Sequence, residues 1–490
     1  MKRLLFISSF ICLSFSGLAQ FYTGSNLTFG RKRVQYETFF WSFYRFQNFD
    51  VYFNRNGKNL ALYTTSFVQN NLSDIERKVG ETVAEQMQFI IFNRLTDYKQ
   101  SNIGYLEEES YNTGGITRIN GNKIFLFFDG DYVDFERQIR EGITEILVRQ
   151  VLFGTTLVAQ VRNTTSLTVP DWFQYGVISY LSTPWNTEFD DILRDAMLSR
   201  KYRNLAALEG EDAKMAGHSL FRYSAETYGE GAILRILRVT AAQRRVEVGL
   251  RYSLNLSYKQ LIRNWQQYYL ENTRFDGDTE VPDLEKSLRR VRQRDREHYQ
   301  FKLSPAGDQV AYISNELGRA RVHLRNLKTG KHKIVMSIGY AINDRPDYSY
   351  PALAWHPSGE ILAIAAEHRG ITSLYLYNVK TRRADWVNME SLDKILSIDY
   401  APNGRLMVFS AVQHGQSDIF LFNMGTRTLT PITKDLFDDA NPRFLKNGSQ
   451  IIFSSNRPTD TLMRNQRFPQ APLLNPNHNL FIYDLNNQTT

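Results

Sequence analysis

The stretch Ser304-Pro305-Ala306-Gly307-Asp308-Gln309-Val310-Ala311-Tyr312-Ile313-Ser314 returns three times further along the chain. It recurs as His356-Pro357-Ser358-Gly359-Glu360-Ile361-Leu362-Ala363-Ile364-Ala365-Ala366 and as Ala401-Pro402-Asn403-Gly404-Arg405-Leu406-Met407-Val408-Phe409-Ser410-Ala411. A fourth copy, Leu445-Lys446-Asn447-Gly448-Ser449-Gln450-Ile451-Ile452-Phe453-Ser454-Ser455, lacks the proline. In each copy Pro or Gly marks a turn, and the apolar run behind it suits a strand buried on both faces. A second strand follows each time: Val322-His323-Leu324, Leu374-Tyr375-Leu376-Tyr377, Ile419-Phe420-Leu421-Phe422 and Leu480-Phe481-Ile482-Tyr483. Polar turns such as Lys328-Thr329-Gly330 and Lys380-Thr381-Arg382 close the units. One such unit cannot bury its own faces, so the repetition implies stacked sheets.

These four copies resemble the PD40 repeat of TolB-like β-propellers. The resemblance implies a radial array of sheets, one per copy, over residues 298–490. Members of that family usually close at six sheets, and four of this kind rarely close a ring. The chain ends at Asn486-Asn487-Gln488-Thr489-Thr490, inside the turn after a second or third strand. An open array leaves an apolar flank and unpaired edges in water. The expectation is therefore an incomplete propeller belonging to a longer product. The alternative is a closed ring of four or five sheets that borrows its last strand from elsewhere.

Upstream the pattern is different. Phe49-Asp50-Val51-Tyr52-Phe53 alternates like a strand, Leu60 to Val79 reads as a helix stopped at Gly80, and Gln86 to Leu95 and Lys123 to Phe128 read as strands. Glu136 to Leu152 is helical, with Ile139, Ile143, Ile146, Leu147 and Gln150 on or beside one stripe. Val169-Pro170-Asp171-Trp172-Phe173-Gln174-Tyr175-Gly176 opens another helix, with Pro near its first turn. Helical patterns follow over Asp190 to Tyr202, Leu220 to Tyr228, Glu230 to Val239 and Tyr258 to Tyr269. A small sheet followed mostly by helices is an α+β arrangement.

The pair of helices around Glu141 and Tyr175 resembles the peptidase MA-like family, gluzincins in which an HExxH helix precedes a W-[FL]-x-E-G helix. The strand Phe49–Phe53, the pair Tyr228-Gly229 and the Trp- and Tyr-rich run Leu261 to Tyr269 resemble other parts of that family, in the same order. Laid on the motif, Glu141 stands at the first histidine, Gly142 at the catalytic glutamate, Glu145 at the second histidine and Tyr175 at the third ligand. Zinc peptidases of this class need neutral imidazoles and a carboxylate on the metal, with a second carboxylate as base. His218 is the one histidine before His298, so two imidazoles cannot come from this region under any alignment. The resemblance thus implies a peptidase frame without catalytic residues, zinc or other cofactor.

Glu141 and Glu145 lie four apart on one helical face. They suit a hard cation such as Ca²⁺, or ion pairs with Arg137 and Arg149, each four residues away. His218, in Ala216-Gly217-His218-Ser219, reads as a cap or core histidine, and Trp172 and Phe173 read as core anchors. No G-x-S-x-G elbow, G-x-x-x-x-G-K-[ST] loop or G-x-G-x-x-G fingerprint is present, so serine hydrolysis and nucleotide binding lack support within these residues.

Lys2 and Arg3, the apolar run Leu4 to Phe15 and the small residues Gly17-Leu18-Ala19 before Gln20 have the layout of a secretory signal. The apolar run is too short to span a membrane. Cys12, the single cysteine, lies within it, so the processed chain has no thiol and no disulfide. Formal net charge is +8 over 490 residues, a mild excess that is no nucleic-acid signature. Basic residues gather between Lys286 and Arg296, read as a solvated linker helix or as an anion- or membrane-binding patch. The expected fold class is multidomain. A signal over 1–19 precedes an α+β zincin-like pseudo-peptidase domain over 20–280. A charged linker over 281–297 leads to an incomplete all-β propeller of about four blades over 298–490. The expected function is that of a non-catalytic exported binding protein of the bacterial envelope, periplasmic or surface-associated, with protein or peptide partners and without a transmembrane segment or nucleic acid. The alternative is the N-terminal part of a hydrolase, prolyl oligopeptidase-like or other, whose catalytic domain lies beyond residue 490.

Overall fold

The computed structural model describes residues 38–100, 122–155, 167–272, 296–339, 347–460, 462 and 477–490. The signal-like segment and most of the charged linker lie outside the described residues.

The N-terminal region is built on a four-stranded mixed sheet, β1 (Ser42–Arg45), β2 (Phe49–Phe53), β3 (Met87–Phe92) and β4 (Lys123–Phe127), in that spatial order. β1 is antiparallel to β2, while β2, β3 and β4 are parallel. Parallel neighbours need a crossover. Helix α1 (Lys58–Val79) supplies it between β2 and β3. Gly80 ends α1 in the left-handed conformation, φ 71°, with its N–H on the Glu76 carbonyl. That geometry suits glycine because a Cβ would crowd the following carbonyl.

The expected strand from Gln86 to Leu95 is shorter, because Leu95 begins a brief helix, α2 (Leu95–Gln100). There the buried Arg94 guanidinium donates to Asp97 at 2.7 Å, a local pair that favours a turn over further strand.

Helix α3 (Tyr132–Phe153) packs on β4 and α1 through Ile139, Ile143, Ile146 and Leu147, all buried as the stripe requires. It begins four residues before the sequence pattern suggested. Asp131 is its N-cap, accepting from the Val133 and Asp134 amides.

The remaining helices are α4 (Asp171–Ser182), α5 (Thr187–Leu198), α6 (Gly210–Tyr228), α7 (Gly231–Gln243), α8 (Val246–Leu254) and α9 (Tyr258–Asn272). α5 stops at Leu198, so Tyr202 falls in a separate 3₁₀ turn. α6 starts ten residues before Leu220, through the weak helix formers Gly210 and Gly217. Packing explains the latter. A Cβ on Gly217 would lie 1.8 Å from the Trp172 carbonyl oxygen, and one on Gly176 would lie 2.4 Å from the Gly217 Cα. Two glycines face to face let α4 and α6 approach backbone to backbone.

The C-terminal region is four successive antiparallel sheets. Blade 1 is β5 (Arg296–Leu303), β6 (Gln309–Glu316), β7 (Arg319–Asn326) and β8 (His332–Ile338); Arg296, at the end of the basic run, already lies in its first strand. Blade 2 is β9 (Ala352–Trp355), β10 (Ile361–His368), β11 (Ile371–Asn378) and β12 (Ala384–Asn388). Blade 3 is β13 (Lys394–Tyr400), β14 (Leu406–Gln413), β15 (Gln416–Asn423) and β16 (Thr428–Pro431). Blade 4 shows three strands, β17 (Asp439–Phe444), β18 (Gln450–Ser455) and β19 (Asn479–Asp484).

First strands pack in chain order, β5 on β9, β9 on β13 and β13 on β17. The double-sided apolar runs are used as their pattern requires. Leu362 and Ile364 face blade 1 with Ile313 and Val322, while Ala363 and Ala365 face blade 3 with Ile395 and Phe409. Each fully buried Leu or Ile contributes about 1.5–3 kcal/mol. Val408 and Ile419 continue the pattern against Ile451 and Phe453. At the two ends of the array the outer flanks stay wet. Phe301, Leu303 and Ile334 are exposed on blade 1, and Leu480 and Ile482 on blade 4.

Candidate functional site

Of the motif positions singled out in the sequence, Glu141, Gly142 and Glu145 lie on α3, which packs on α4, the helix that carries Tyr175; Lys214 of α6 reaches Glu141. Glu141 is partly buried. Arg137, one turn earlier, donates to its Oε2 at 2.8 Å, and Lys214 of α6 donates to its Oε1. Arg137 also donates to Asp134 at 3.0 Å. Burial opposes the guanidinium charge, but Asp134 and Glu141 raise Arg137 above its ordinary range. Glu145 pairs with Arg149 at 3.3 Å. Ion pairing is thus the arrangement the two glutamates adopt. The cation neutralising Glu141 comes partly from a helix about seventy residues away.

Gly142 points to the sheet. A Cβ there would come 2.4 Å from Ile124 Cγ2 on β4, so a longer side chain at this position must displace Ile124. Tyr175 is half-buried on α4. His218 sits in the core of the same helix group. Its Nδ1 is 2.9 Å from Ser179 Oγ, and the rings of Tyr180, Trp185 and Phe189 meet it edge to face. Burial, with Lys214 and Arg222 adding, pushes the imidazole down to about 3, so it is neutral at ordinary pH. Trp172 and Phe173 are buried, as anchors should be. Among the described residues no group of three His, Cys, Asp or Glu side chains is arranged to hold a metal ion.

A second constellation, not foreseen in the sequence, joins the two regions. Lys394, at the start of β13, is buried and donates to Asp129 at 2.6 Å and to Asp347 at 2.7 Å, with its ammonium 5.5 Å from the Tyr350 ring centroid. Burial acts against the ammonium, but the two carboxylates raise it above its ordinary value. Asp438, ahead of β17, accepts from the Tyr132 amide at 3.0 Å. The N-terminus of α3 is therefore capped by Asp131 of its own chain segment and by Asp438 of blade 4. A helix N-terminus favours such carboxylates. Burial, with Asp131 adding, pushes the Asp438 carboxyl well above its usual range. Tyr132 Oη donates to the Gly415 carbonyl at 2.6 Å, Asn59 to the His414 carbonyl at 3.2 Å, Arg94 to the Asp393 carbonyl at 3.2 Å, and Thr96 to Glu367 at 2.8 Å. All these contacts use the same end of the sheets.

Behind Asp438, Arg457 is fully buried. It donates to both Asp439 oxygens at 2.8 and 2.7 Å and lies 3.2 Å from Asp435. Phe437, Phe453 and Phe481 surround its guanidinium. Burial and the neighbouring Asp439 push Asp435 up to about 6. Only Asp131 offered a sequence signal here, an Asp with another Asp three residues later; the other pairs join residues far apart in the chain.

No family model matches the chain, and no curated protein matches it. Among solved structures, TolB from Acinetobacter baumannii aligns at 19% identity over 39% of this chain and 41% of that one, with a TM-score of 0.31. A putative TolB from Agrobacterium tumefaciens aligns at 14% identity over 39% and 78% of the two chains, TM-score 0.24. A prolyl endopeptidase aligns at 12% identity over 39% and 27%, TM-score 0.28. The chain spans less than half the length of the first of these relatives. Scores this low carry no argument, and the sheet array stands on its own strand pairing and packing.

Proposed function

We propose that the chain is a non-catalytic, exported binding or scaffold protein of the bacterial cell envelope. In this reading the N-terminal region derives from a peptidase MA-like, zincin-like fold and keeps its frame. The four sheets belong to a TolB-like propeller. Both offer surfaces to protein or peptide partners. The observation that carries the reading is the fate of Glu141: where the motif calls for a metal-binding imidazole stands a carboxylate neutralised by Arg137 and Lys214. The position that the motif gives to the catalytic glutamate is Gly142, and among the described residues no group of His, Cys, Asp and Glu side chains is arranged to hold a metal ion that would activate water. The signal-like start supports export, and the tight joint between the two regions supports a rigid platform over a hinged enzyme.

The test presents one labelled peptide mixture to the full chain and reads cleavage by mass spectrometry and binding by anisotropy. The expected result is saturable binding of a subset with every peptide recovered intact. New termini that accumulate in proportion to protein, whether or not they are lost on Lys214→Ala, would overturn the reading.

A further inference from the structure

Among the described residues the two ends of the sheet array differ in charge, and the N-terminal region contacts one of them. The N-terminal region meets the inter-blade loops and the turns between second and third strands. The strands then carry the chain to the far end, where first strands turn into second and third into fourth.

At that far end every blade uses the same backbone device. The Ser304, His356, Ala401 and Leu445 amides donate to the carbonyls of Gln309, Ile361, Leu406 and Gln450 at 2.8–2.9 Å. The two turns of each blade are tied together, Leu327 N–H to Asp308, Val379 to Glu360, Met424 to Arg405 and Leu485 to Ser449, at 2.8–3.0 Å. The far end thus carries four turn pairs, each tied together by backbone hydrogen bonds.

Those turns carry eight exposed cations, Lys328, Lys331, Lys380, Arg382, Arg383, Arg405, Arg427 and Lys446, against two acids, Asp308 and Glu360. Lys380 is paired with Glu360 and Arg427 with Asp385; the other six have no ion-pair partner among the described residues. The loops and turns of the opposite end reverse the balance. Among the described residues they carry Arg369, Lys434 and Arg457 against Asp347, Glu390, Asp393, Asp435, Asp438 and Asp460, with Asp347 paired to Lys394 and Asp435 to Arg457. Trp386 stands exposed on the edge strand β12, beside the far-end turns.

We propose that this far end docks on a phosphate-bearing lipid surface. The cations are spread over the turns of all four blades, which suits a plane of anionic headgroups better than one acidic ligand. Such a plane rewards each nearby Lys or Arg separately. An exposed Trp belongs at the same depth. The docked array holds the N-terminal region away from the membrane.

The experiment is co-sedimentation of the full chain with vesicles of phosphatidylcholine alone or of phosphatidylcholine with phosphatidylglycerol. Any contribution from the apolar segment Leu4 to Phe15 is common to all arms. Binding is expected to require phosphatidylglycerol and to be lost in about 0.5 M salt, where screening reaches only a few ångström. Lys328→Glu/Arg382→Glu/Arg383→Glu/Lys446→Glu should weaken it at least about tenfold. Arg369→Glu/Lys434→Glu at the other end should leave it unchanged, with both variants melting like the parent. Equal loss in the two variants, no loss in the first, or salt-sensitive capture of polyphosphate without vesicle binding would each overturn the proposal.

Discussion

Lys394→Met is expected to destabilise the chain by about 3–5 kcal/mol, the range found when one partner of a buried ion pair is removed. Lys394 neutralises Asp129 of the N-terminal region and Asp347 of the loop before blade 2, and it is buried among them. Without the ammonium two carboxylates remain desolvated at the joint and must take up protons or open the joint to water. Leu396 and Val412 close on Gly130 beside them, so the opening also wets apolar surface. Urea unfolding should show the loss. Adding Asp129→Asn and Asp347→Asn to Lys394→Met should recover much of it, because the uncompensated charge is then gone. A single-variant loss below about 1 kcal/mol, the value of an exposed pair, would show that the joint is wet.

Arg457→Met should have an effect of the same size, confined to blade 4 and its contact with blade 3. Arg457 is the only cation bonded to Asp435 and Asp439 among the described residues, and burial, with Asp439 and Asp435 adding, pushes the neighbouring Asp418 well above its usual range. Its loss leaves acids facing one another in a site lined by Phe437, Phe453 and Phe481. We expect about 3–5 kcal/mol of lost stability and faster amide exchange over Ile451 to Ser455 than over Ile361 to Ala366. Arg457→Lys should rescue little, since an ammonium cannot make the two-oxygen contact with Asp439 while reaching Ser455 and Asp435. Full rescue by lysine would contradict the geometry.

The array of sheets was legible in the sequence because its rule is local and repeated. Gly307, Gly359, Gly404 and Gly448 take φ between 68° and 71° at the same point of each turn, and the strands behind them are apolar on both faces. Helices α3 and α4 were legible for the same reason, from a period of 3.6 and a proline at the start. Arg137 with Glu141, and Arg149 with Glu145, could be read from their spacing of four. Lys214, Lys394, Asp438 and Arg457 could not, since their partners come close only when distant elements pack. The start of α6 was missed because Gly210 and Gly217 argue against a helix locally; close packing against α4 overrides that cost of about 1 kcal/mol per glycine. The short helix α2 was missed because an apolar run leads straight into it.

Arg137 and Lys214 neutralise Glu141 where the motif calls for a metal-binding imidazole, and we propose that no metal chemistry runs there. Elemental analysis of the purified full chain, after loading with zinc and dialysis against a mild chelator, tests this most directly. We expect far less than one zinc per chain, and the same for Lys214→Ala, because removing the cation supplies no imidazole. The companion set Glu141→His, Gly142→Glu, Glu145→His and Tyr175→Glu should gain zinc only together with Lys214→Ala and Ile124→Ala, which clear the charge and the space the structure denies them. One zinc per chain in the unaltered protein, lost on Glu141→Gln, would mean that Glu141 is a metal ligand after all.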